Sequence, residues 1–447
     1  MANEWPMVKV ATLQENGHLL VEDGNHGEYR PQRSEFVDDG TAFIRAADME
    51  NGRVFFESAA RINNVAMRRI RKGIGAGGDI ILSHKGTVGK VALTPLDAPP
   101  FVCSPQTTFW RTLNEEVMDR RFLYAYMRSQ AFHDQLTGRK SETDMADYVS
   151  LTAQRDLEIP VPPIEKQRAI GGCLEPVDRQ VELIRLMNQT LIAMTIAIFK
   201  AWFIDFEPAK AKSAGATSFR GMPQDVFDQL SDKLIDTELG PVPAGWEVVP
   251  VGDLVTVVGG ATPSTKNSEF WEGGKHPFCT PKDMSKLTSR VLLDTERHIT
   301  RAGVDKISSG QLPIGTVLLS SRAPIGYLAI AETPVSVNQG IIAMLTGEIP
   351  NSYLLLWAEE NMEVIKARAG GSTFAEISKG NFRLIPALRP DKLSLTVFGE
   401  IVQPFFRQII SNEGETRVLA AIRDTLLPKL ISGAITLPSN KEADDGQ

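Results

Sequence analysis

The feature that most constrains the fold of this chain is a long internal duplication. Leu174–Val181 (Leu-Glu-Pro-Val-Asp-Arg-Gln-Val) resembles Val402–Ile409 (Val-Gln-Pro-Phe-Phe-Arg-Gln-Ile), and the matching prolines Pro176 and Pro404 are 228 residues apart. Solenoid repeats are much shorter, at about 20–50 residues. A period of this length therefore predicts two copies of a whole domain.

The match extends upstream with a slowly drifting offset, as expected when loops differ in length. Gly78–Ser83 corresponds to Gly315–Ser320, and Phe43 and Phe278 each lie five residues before an Asp-Met pair. The predicted order is therefore a globular unit and a long helix, followed by a second globular unit and a second long helix.

Each globular unit has signals for both strands and helices. Short apolar runs at 79–83 and 316–320 are each followed by a glycine and a second apolar run, which is typical of strands. Helical patterns occur at 121–135 and 352–369. We predict a mixed α and β fold of the α/β type, with two duplicated domains separated by the two long helices.

The long helices carry apolar residues at alternating spacings of four and three, the pattern of a coiled-coil seam. Two copies of one helix can pack about a pseudo-twofold axis, so we predict an antiparallel coiled coil. Asn188 and Asn412 would fix its register, and Pro176 and Pro404 would kink each helix near its start. Two amphipathic helices packed on separate cores remain an alternative. The predicted seam consists of Ile170, Leu174, Val177, Val181, Ile184 and Leu191 in the first helix and Phe398, Val402, Phe405, Ile409, Leu419 and Leu426 in the second.

These signals divide the chain into six segments. At about 1.5 Å per residue the first long helix would extend about 60 Å, and it could separate the two domains like a ruler. The predicted segments are a first domain at 1–160, a central helix at 161–206, a linker at 207–242 with a short helix at 225–235, a second domain at 243–388, a distal helix at 389–436 and a disordered acidic tail at 437–447.

Composition and charge narrow the functional classes. The 447 residues include 48 Lys and Arg against 55 Asp and Glu, a net charge of −7. This argues against a general basic nucleic-acid binder, whose domains have a pI above about 9. Three scattered cysteines fit a reducing compartment. No signal-peptide pattern begins the sequence, and the apolar stretch at 191–203 is shorter than the roughly 20 residues of a membrane span. We predict a cytoplasmic protein with no membrane contact.

Motifs for catalysis and cofactor binding are weak or missing. Gly73–Gly78 formally matches the Gly-x-Gly-x-x-Gly dinucleotide pattern, which needs a strand before it and a helix after it. Here a basic segment precedes the glycines and a strand follows. The six histidines lack metal-ligand spacing, and no nucleophile has a matching base. We therefore predict a non-catalytic recognition protein that binds neither a metal nor a cofactor.

Candidate nucleic-acid contacts are polar and basic residues, several of them at equivalent positions in the two copies. Arg and Lys suit guanine edges and phosphates, whereas Asn and Gln suit adenine. Each residue taken singly is also explained as a solvated surface group, and only the repetition favours a functional role. The candidates are Arg45, Arg68, Arg69, Arg71, Lys72, Ser83, His84, Lys85, Lys90, Gln106, Arg139 and Lys140 in the first copy and Lys282, Ser320, Ser321, Arg322, Asn338, Gln339, Arg368, Ser372 and Thr373 in the second.

One segment resembles a known family. Ile159–Arg168 (Ile-Pro-Val-Pro-Pro-Ile-Glu-Lys-Gln-Arg) is similar to the junction at which a recognition domain meets its helix in specificity subunits of type I restriction–modification systems. Lys166 departs from the glutamate or other polar residue usual there. The second junction, 385–390, is degenerate and lacks the Glu-Gln pair. Leu239–Glu247 resembles the family's entry into the second recognition domain, so the resemblance covers nearly the whole chain apart from the tail.

The resemblance implies a function and a set of partners. Each recognition domain would read one half of a bipartite, asymmetric target in double-stranded DNA. The helix pair would set the spacer between the halves and dock two modification subunits, which bind S-adenosylmethionine and methylate adenine. Restriction subunits, which are ATP- and magnesium-dependent motor-nucleases, would complete the complex. This chain would have no catalytic residue and no cofactor of its own.

Two alternatives from other classes remain. One is a self-sufficient or single-partner DNA-modifying enzyme with a diverged catalytic site, which would itself bind S-adenosylmethionine. The other is a coiled-coil interaction protein that does not bind DNA, for which charge reversal at Lys85 and Arg322 would change no activity.

Overall fold

The structure is a computed structural model of the chain, and it describes residues 5–24, 27–143, 146–370, 375–435 and 437. The chain divides into two compact units. Unit 1 comprises residues 1–181 and 418–447, and unit 2 comprises residues 182–417. Both units contain helices and mixed sheets. The predicted mixed α and β class with two long helices is therefore confirmed.

Unit 1 contains two main sheets. The first is antiparallel, with strand order Val91–Leu93, Ile80–Ser83, Thr107–Thr112 and Leu19–Asp23. The second has the order Phe36–Val37, Arg61–Ile62, Thr41–Ile44, Phe101–Cys103 and Ile74–Gly75, and Thr41–Ile44 and Phe101–Cys103 run parallel. Strand pairs Met7–Lys9 with Glu158–Pro160, Met49–Glu50 with Arg53–Val54 and Ser141–Thr143 with Ala146–Tyr148 complete the sheets, and the short helices are Val10–Glu15, Asn64–Arg69, Arg120–Met127, Gln130–Thr137 and Leu151–Arg155.

Unit 2 repeats this plan with different loops. Its main sheet has the order Thr256–Gly259, Ile341–Leu345, Val317–Ser320, Leu328–Ala331 and Val291–Leu292. A second sheet has the order Arg297–Ile299, His276–Cys279 and Ser336–Val337. Glu247–Pro250 pairs with Pro386–Arg389, and the short helices are Val251–Leu254, Pro281–Met284, Arg301–Val304, Asn351–Glu360, Met362–Ala367 and Lys379–Arg383.

One strand in each unit divides its side chains between two cores, because successive residues of a strand point to opposite faces. Ile80 and Leu82 pack in one core of unit 1, whereas Ile81 packs with Phe109 in another. In unit 2 the strand Val317–Ser320 does the same, with Leu318 separated from its two neighbours. These strands are buried on both faces, so their sequences are continuous apolar runs rather than alternating ones.

Each of the two helices predicted within the domains, at 121–135 and 352–369, is divided into two shorter helices in the structure. The first breaks at Arg128 and Ser129, because Ser129 Oγ accepts a hydrogen bond from Phe132 N at 3.3 Å and caps the next helix. The second breaks at Asn361, whose side-chain Nδ2 donates to Trp357 O at 2.9 Å. Local caps therefore interrupt patterns whose apolar spacing is continuous.

Residues 207–242 are more structured than the predicted linker. Helices occupy Glu207–Ser213 and Gln224–Gln229, so the helix expected at 225–235 ends six residues early. A hairpin of Leu234–Thr237 and Gly240–Pro243 follows. Gly240 has φ of +91°. This left-handed conformation suits glycine and allows the tight turn between the two strands of the hairpin.

The central helix spans Ile164–Phe203 and the distal helix spans Lys392–Ile431, each 40 residues. The central helix continues through Pro176 and the distal helix through Pro404. Gln167 at the start of the central helix is fully buried. Its Nε2 donates to Val117 O and Pro162 O at 2.9 and 2.8 Å, and its Oε1 accepts from Asp119 N at 2.9 Å. This single amide fastens the helix to the domain before it.

The start of the distal helix is fastened differently, which explains its degenerate junction sequence. Asp391 Oδ1 accepts from Ser394 N at 2.9 Å, and Asp391 Oδ2 accepts from Trp246 Nε1 at 3.0 Å. A carboxylate at the N-terminus of a helix is favoured by the unpaired N–H groups there. In unit 2 an aspartate thus replaces the Glu-Gln pair of the first junction.

In unit 1 the ends of the two helices share one core. Ile170 and Leu174 lie in the same buried cluster as Leu427 and Leu430, and Leu426 packs against it. Asp178 accepts hydrogen bonds from Arg128 at 2.7 Å and from Arg423 at 3.2 Å. Later residues of the central helix meet earlier residues of the distal helix, so the two segments run antiparallel in this unit.

The helix segments in unit 2 are also antiparallel. Phe199 contacts Phe398, with ring centroids 6.1 Å apart. The buried Asn412 donates through Nδ2 to Asn188 Oδ1 at 2.6 Å. Along the predicted seam, Ile184, Val402 and Ile409 are buried in addition to Phe398, whereas Val177, Val181, Leu191, Phe405, Leu419 and Leu426 are half-buried.

Candidate nucleic-acid interface

In unit 2 the strand Val317–Ser320 leads directly into the candidate segment Ser320, Ser321 and Arg322. Ser320 Oγ accepts hydrogen bonds from Gly326 N at 3.0 Å and Tyr327 N at 2.8 Å, and donates to Pro324 O at 2.8 Å. Both serines are buried. They therefore hold the turn, and Arg322 is the first side chain of the segment that reaches solvent.

Arg322 is anchored through the backbone of its neighbour and faces a carboxylate. Ser321 O accepts from Ile377 N at 3.1 Å, and the Arg322 and Glu376 backbones form a β-bridge. Arg322 Nη1 lies 3.4 Å from Glu376 Oε2, and the two side chains are 36% and 44% exposed. A Cβ added at Gly340 would lie 3.4 Å from Arg322 Nε. Gly340 thus lies next to the guanidinium.

Two amides lie beside this arginine. Asn338 Oδ1 accepts from Gly340 N at 3.0 Å, so Asn338 caps its own turn. Gln339 is exposed, and its Oε1 accepts from Thr262 Oγ1 at 2.7 Å. Arg322, Asn338 and Gln339, predicted from separate parts of the sequence, therefore lie together.

The sequence prediction missed Thr262, which is exposed and reaches the same cluster. A Cβ at Gly260 would lie only 1.6 Å from Val337 O, so glycine is required for this loop to approach the strand. The adjacent glycines Gly259 and Gly260 are the sequence signal that could have identified the loop.

The other candidates of unit 2 lie outside this cluster or have internal partners. Lys282 is 70% exposed and lies 3.2 Å from Glu296, which also binds Lys286. Arg368 Nη1 donates to Leu384 O at 3.0 Å and so supports a neighbouring loop. Ser372 and Thr373 lie outside the described residues.

Unit 1 has the equivalent segment in Ser83, His84 and Lys85. Ser83 Oγ accepts from Lys90 N at 2.8 Å. His84 is fully buried, with Nδ1 3.1 Å from Val149 O and Nε2 3.2 Å from Asp23 Oδ1. Lys85 is exposed, with its ammonium 5.7 Å from the centre of the Tyr148 ring. Again two buried residues precede a partly free cation.

Gln106 adds an exposed amide next to this segment, because its backbone oxygen accepts from His84 N at 2.9 Å. Lys90 instead donates through Nζ to Ala46 O and Met49 O at 3.0 and 2.9 Å. Arg45 pairs with Asp48 at 3.0 Å. Lys90 and Arg45 therefore stabilise neighbouring loops of the domain.

The basic cluster before Gly73 separates into one paired arginine and three exposed cations. Arg69 Nη1 and Nη2 donate to the two Glu35 oxygens at 2.7 and 2.6 Å. The Arg69 hydrogen bonds, together with one from Gln32 N, lower the pKa of Glu35 to about 2. Arg68, Arg71 and Lys72 are exposed, and within the described ranges they have no ion pair.

The remaining candidates of unit 1, Arg139 and Lys140, lie after the helix Gln130–Thr137. Arg139 Nη2 donates to Asp156 O at 2.9 Å, and Lys140 pairs with Asp147 at 2.8 Å. Both therefore connect loops of the domain.

The central helix has a second apolar stripe outside the seam. Leu183, Leu186, Met187 and Met194 are 52%, 43%, 41% and 46% exposed. Leu186 and Met187 lie three and four residues after Leu183, and Met194 lies seven residues after Met187, so all four share one helix face. An 18-residue window of this helix has a mean hydropathy of 1.4, long and apolar enough by composition to cross a membrane. The apolar part of this helix is therefore longer than the stretch at 191–203 identified from the sequence. The seam and the stripe together account for this hydropathy.

Catalytic and metal-binding features are few. Among residues that the structure describes, no group of three or more His, Cys, Asp or Glu side chains could hold a metal ion. Burial raises the pKa of the Cys103 and Cys279 thiols, so neither is disposed to form a thiolate.

Comparison with known proteins gives a family. The model for the type I restriction modification DNA specificity domain matches residues 23–192 and 243–419. The HindI specificity subunit of Haemophilus influenzae is 26% identical over 328 residues, which cover 64% of this chain and 71% of that protein. The MjaIX specificity subunit of Methanocaldococcus jannaschii is 35% identical over 181 residues, 40% of this chain and 41% of that protein.

A solved structure shows the same fold. The crystal structure of the S subunit of a type I restriction–modification system from M. genitalium matches with a TM-score of 0.55 and 16% identity, over 96% of each chain. Two copies of the family domain cover most of the sequence, at positions that agree with the internal duplication. The chain therefore belongs to the type I restriction–modification DNA specificity family.

Proposed function

We propose that this chain is the non-catalytic specificity subunit that selects the DNA on which a type I restriction–modification complex acts. The observation that carries the proposal is the repeated segment of two buried residues and one partly free cation. It ends at Lys85 in unit 1 and at Arg322 in unit 2. A chain of this family that presents two such segments is suited to read two separate short sequences.

Each recognition domain reads one half of a bipartite, asymmetric site. In unit 1 we assign this role to Arg68, Arg71, Lys72, Lys85 and Gln106, which are exposed. In unit 2 we assign it to Lys282, Arg322, Gln339 and the newly found Thr262. The buried Ser83, His84, Ser320 and Ser321 set the backbone from which these side chains extend.

The helix pair sets the number of unread base pairs. Asn188 and Asn412 are buried opposite each other, and a buried amide pair disfavours other registers, in which each would lose its partner. A fixed register gives the paired helices a fixed length. That length determines the spacing of the two half-sites, since one turn of DNA advances about 34 Å.

The exposed stripe of Leu183, Leu186, Met187 and Met194 supports binding of a protein partner. Contiguous apolar surface on a soluble protein marks interaction sites. The proposed partners are two modification subunits, which contribute S-adenosylmethionine and methylate adenine, with restriction subunits that use ATP and magnesium. The chain itself holds no cofactor and acts in the cytoplasm.

Assembly also reconciles DNA binding with a net charge of −7. Phosphate neutralisation supplies most non-specific affinity, and partner subunits can contribute part of it. The isolated chain is then expected to bind DNA weakly, and the assembled complex strongly.

The test is methylome sequencing of cells with and without this chain, in the presence of its modification subunits. We expect one bipartite adenine-methylation motif that disappears when the chain is removed. A motif that persists without the chain contradicts the proposal. Binding of S-adenosylmethionine by the purified chain alone would favour a self-sufficient enzyme instead.

The spacer role has its own test. One heptad is inserted between Arg185 and Gln189 and another between Asn412 and Thr416, which preserves the antiparallel pairing. Seven residues add about 10 Å to a helix, or about 3 base pairs. The gap between half-sites should lengthen by that amount while both half-sites stay unchanged. The control is a seven-residue insertion between Ala214 and Ser218, which should leave the gap as it was.

A further inference from the structure

The contact between Arg322 and Glu376 is not needed to hold the local fold. The loop is already fastened by the backbone, since Gly370 and Glu376 exchange two hydrogen bonds of 2.9 and 3.0 Å and Ile377 N donates to Ser321 O. A partly exposed ion pair with a separation of 3.4 Å contributes little to stability. The pair is therefore available for a role at the proposed DNA-binding surface of unit 2.

Both side chains retain unused hydrogen-bonding capacity. Arginine has five N–H donors, and Glu376 engages only Nη1 of Arg322 in the described part of the chain. Glu376 uses Oε2 for this contact, which leaves Oε1 as an acceptor. Donors and an acceptor thus lie side by side at one surface position.

This arrangement matches the major-groove edge of one base pair. Guanine presents two acceptors, O6 and N7, and the paired cytosine presents the N4 amino donor next to them. Arginine binds the guanine acceptors with two parallel N–H groups, and glutamate accepts from cytosine N4. Adenine offers the arginine only one acceptor, N7, and places its amino group beside it.

We propose that Arg322 and Glu376 together read a single G·C base pair in the half-site recognised by unit 2. Arg322 binds the guanine, while Glu376 orients the guanidinium and accepts from the cytosine. The inference rests on the proposed function and adds to it a defined base pair and the two side chains that read it.

Among the residues that the structure describes, unit 1 has a different pair at the equivalent place. Lys85 lies over the ring of Tyr148, where unit 2 has Arg322 and Glu376. A lysine is a point charge without the planar fork of arginine, and a tyrosine ring is not a carboxylate. The G·C contact is thus specific to the second half-site.

The experiment uses the complex of the full chain with its modification subunits and a DNA library randomised across the second half-site. The variants are E376Q and R322K, with E247Q as the matched control. Glu247 is also an exposed partner of an arginine in unit 2, Arg389, at 3.2 Å. Melting temperatures of all three variants should equal that of the wild type, because each pair is at the surface.

The wild-type complex is expected to prefer G·C at one position of the second half. E376Q and R322K should each reduce that preference about tenfold or more, with other positions and the first half unchanged. E247Q should behave as the wild type. An unchanged preference in both E376Q and R322K, or no preference for G·C at any position, overturns the inference. If the wild-type complex selects no bipartite site at all, the proposed function itself has failed.

Discussion

The two recognition segments share a backbone and differ in chemistry. In both units a buried strand ends in two buried residues, and a cation follows. In unit 1 this cation is Lys85 above the Tyr148 ring, and in unit 2 it is Arg322 beside Glu376. The duplicated fold thus supplies a position for a side chain that could read DNA, whereas the identity of that side chain and of its neighbour differs between the units.

The supporting residues differ as well. His84 lies between Val149 O and Asp23, while the equivalent Ser321 is bonded through its backbone to Gly340 and Ile377. Ser320 makes three side-chain hydrogen bonds, and Ser83 makes one that the structure describes. In unit 2 one hydroxyl therefore makes the side-chain hydrogen bonds that support the turn, whereas in unit 1 they are divided between Ser83 and His84.

The largest effect is expected from exchanging one unit's recognition domain. Residues 1–160 are replaced by the corresponding domain of another specificity subunit, with Gln167 and the residues after it retained. The first half-site should change completely, because all its reading groups are replaced, and the second should stay the same. Methylome sequencing measures both halves at once. A change in the second half would show that the two domains do not read independently.

Removing the two serine hydroxyls should destabilise the units unequally. S320A leaves Tyr327 N without an acceptor and Pro324 O without its donor, while Gly326 N keeps Ser320 O at 3.2 Å, so we expect a loss of about 2 kcal/mol in the free energy of unfolding. S83A leaves one such group, and we expect about 1 kcal/mol. Urea denaturation of each variant gives the comparison. Equal losses would mean that the turns are supported in the same way.

Lys85 should contribute to DNA affinity with little base preference, unlike Arg322. In K85A we expect the slope of log affinity against log salt concentration to become shallower by about 1, with the ranking of DNA sequences preserved. Binding titrations of the assembled complex at several salt concentrations measure this. A changed base ranking in the first half would assign Lys85 a reading role like that proposed for Arg322.

The smallest effects concern two carboxylates that hold candidate cations. The hydrogen bonds from Arg69 lower the pKa of Glu35 from its ordinary 4.5 to about 2. Its contribution to stability is therefore present above pH 4.5 and is lost as the pH falls toward 2. Hydrogen bonds from Lys286 and Lys282 also lower the pKa of Glu296.

E35Q should accordingly flatten the acid side of the stability profile between pH 4.5 and 2, and E296Q should do so less, because Glu296 pairs with two exposed lysines. Chemical denaturation across this pH range tests both variants. A steeper acid loss in E35Q than in the wild type would contradict the assigned direction of the pKa shift.

The duplication made the architecture predictable. The apolar runs at 79–83 and 316–320, the four-and-three spacing of the long helices and the junction at 159–168 are all written locally, and the structure has strands and helices at those places. Helix breaks at Ser129 and Asn361 were not predicted, since a single capping hydrogen bond interrupts an otherwise continuous pattern.

The candidate site was predictable only in part, because side-chain partners are distant in sequence. Arg69 pairs with Glu35, and Arg322 pairs with Glu376, which is 54 residues away in the sequence. Thr262 reaches Gln339 from 77 residues away. Sequence position identified polar residues near the ends of strands, but burial of His84 and Ser321 is decided by how neighbouring loops close over them.

The shared core of unit 1 has a consequence for the order in which the protein is made. Leu427 and Leu430 complete a core that Ile170 and Leu174 begin, and all of residues 182–417 lie between them in the chain. A ribosome therefore finishes unit 2 before it has supplied the last pieces of unit 1. Unit 1, most of which is translated first, therefore keeps part of its apolar surface uncovered until synthesis has passed residue 430.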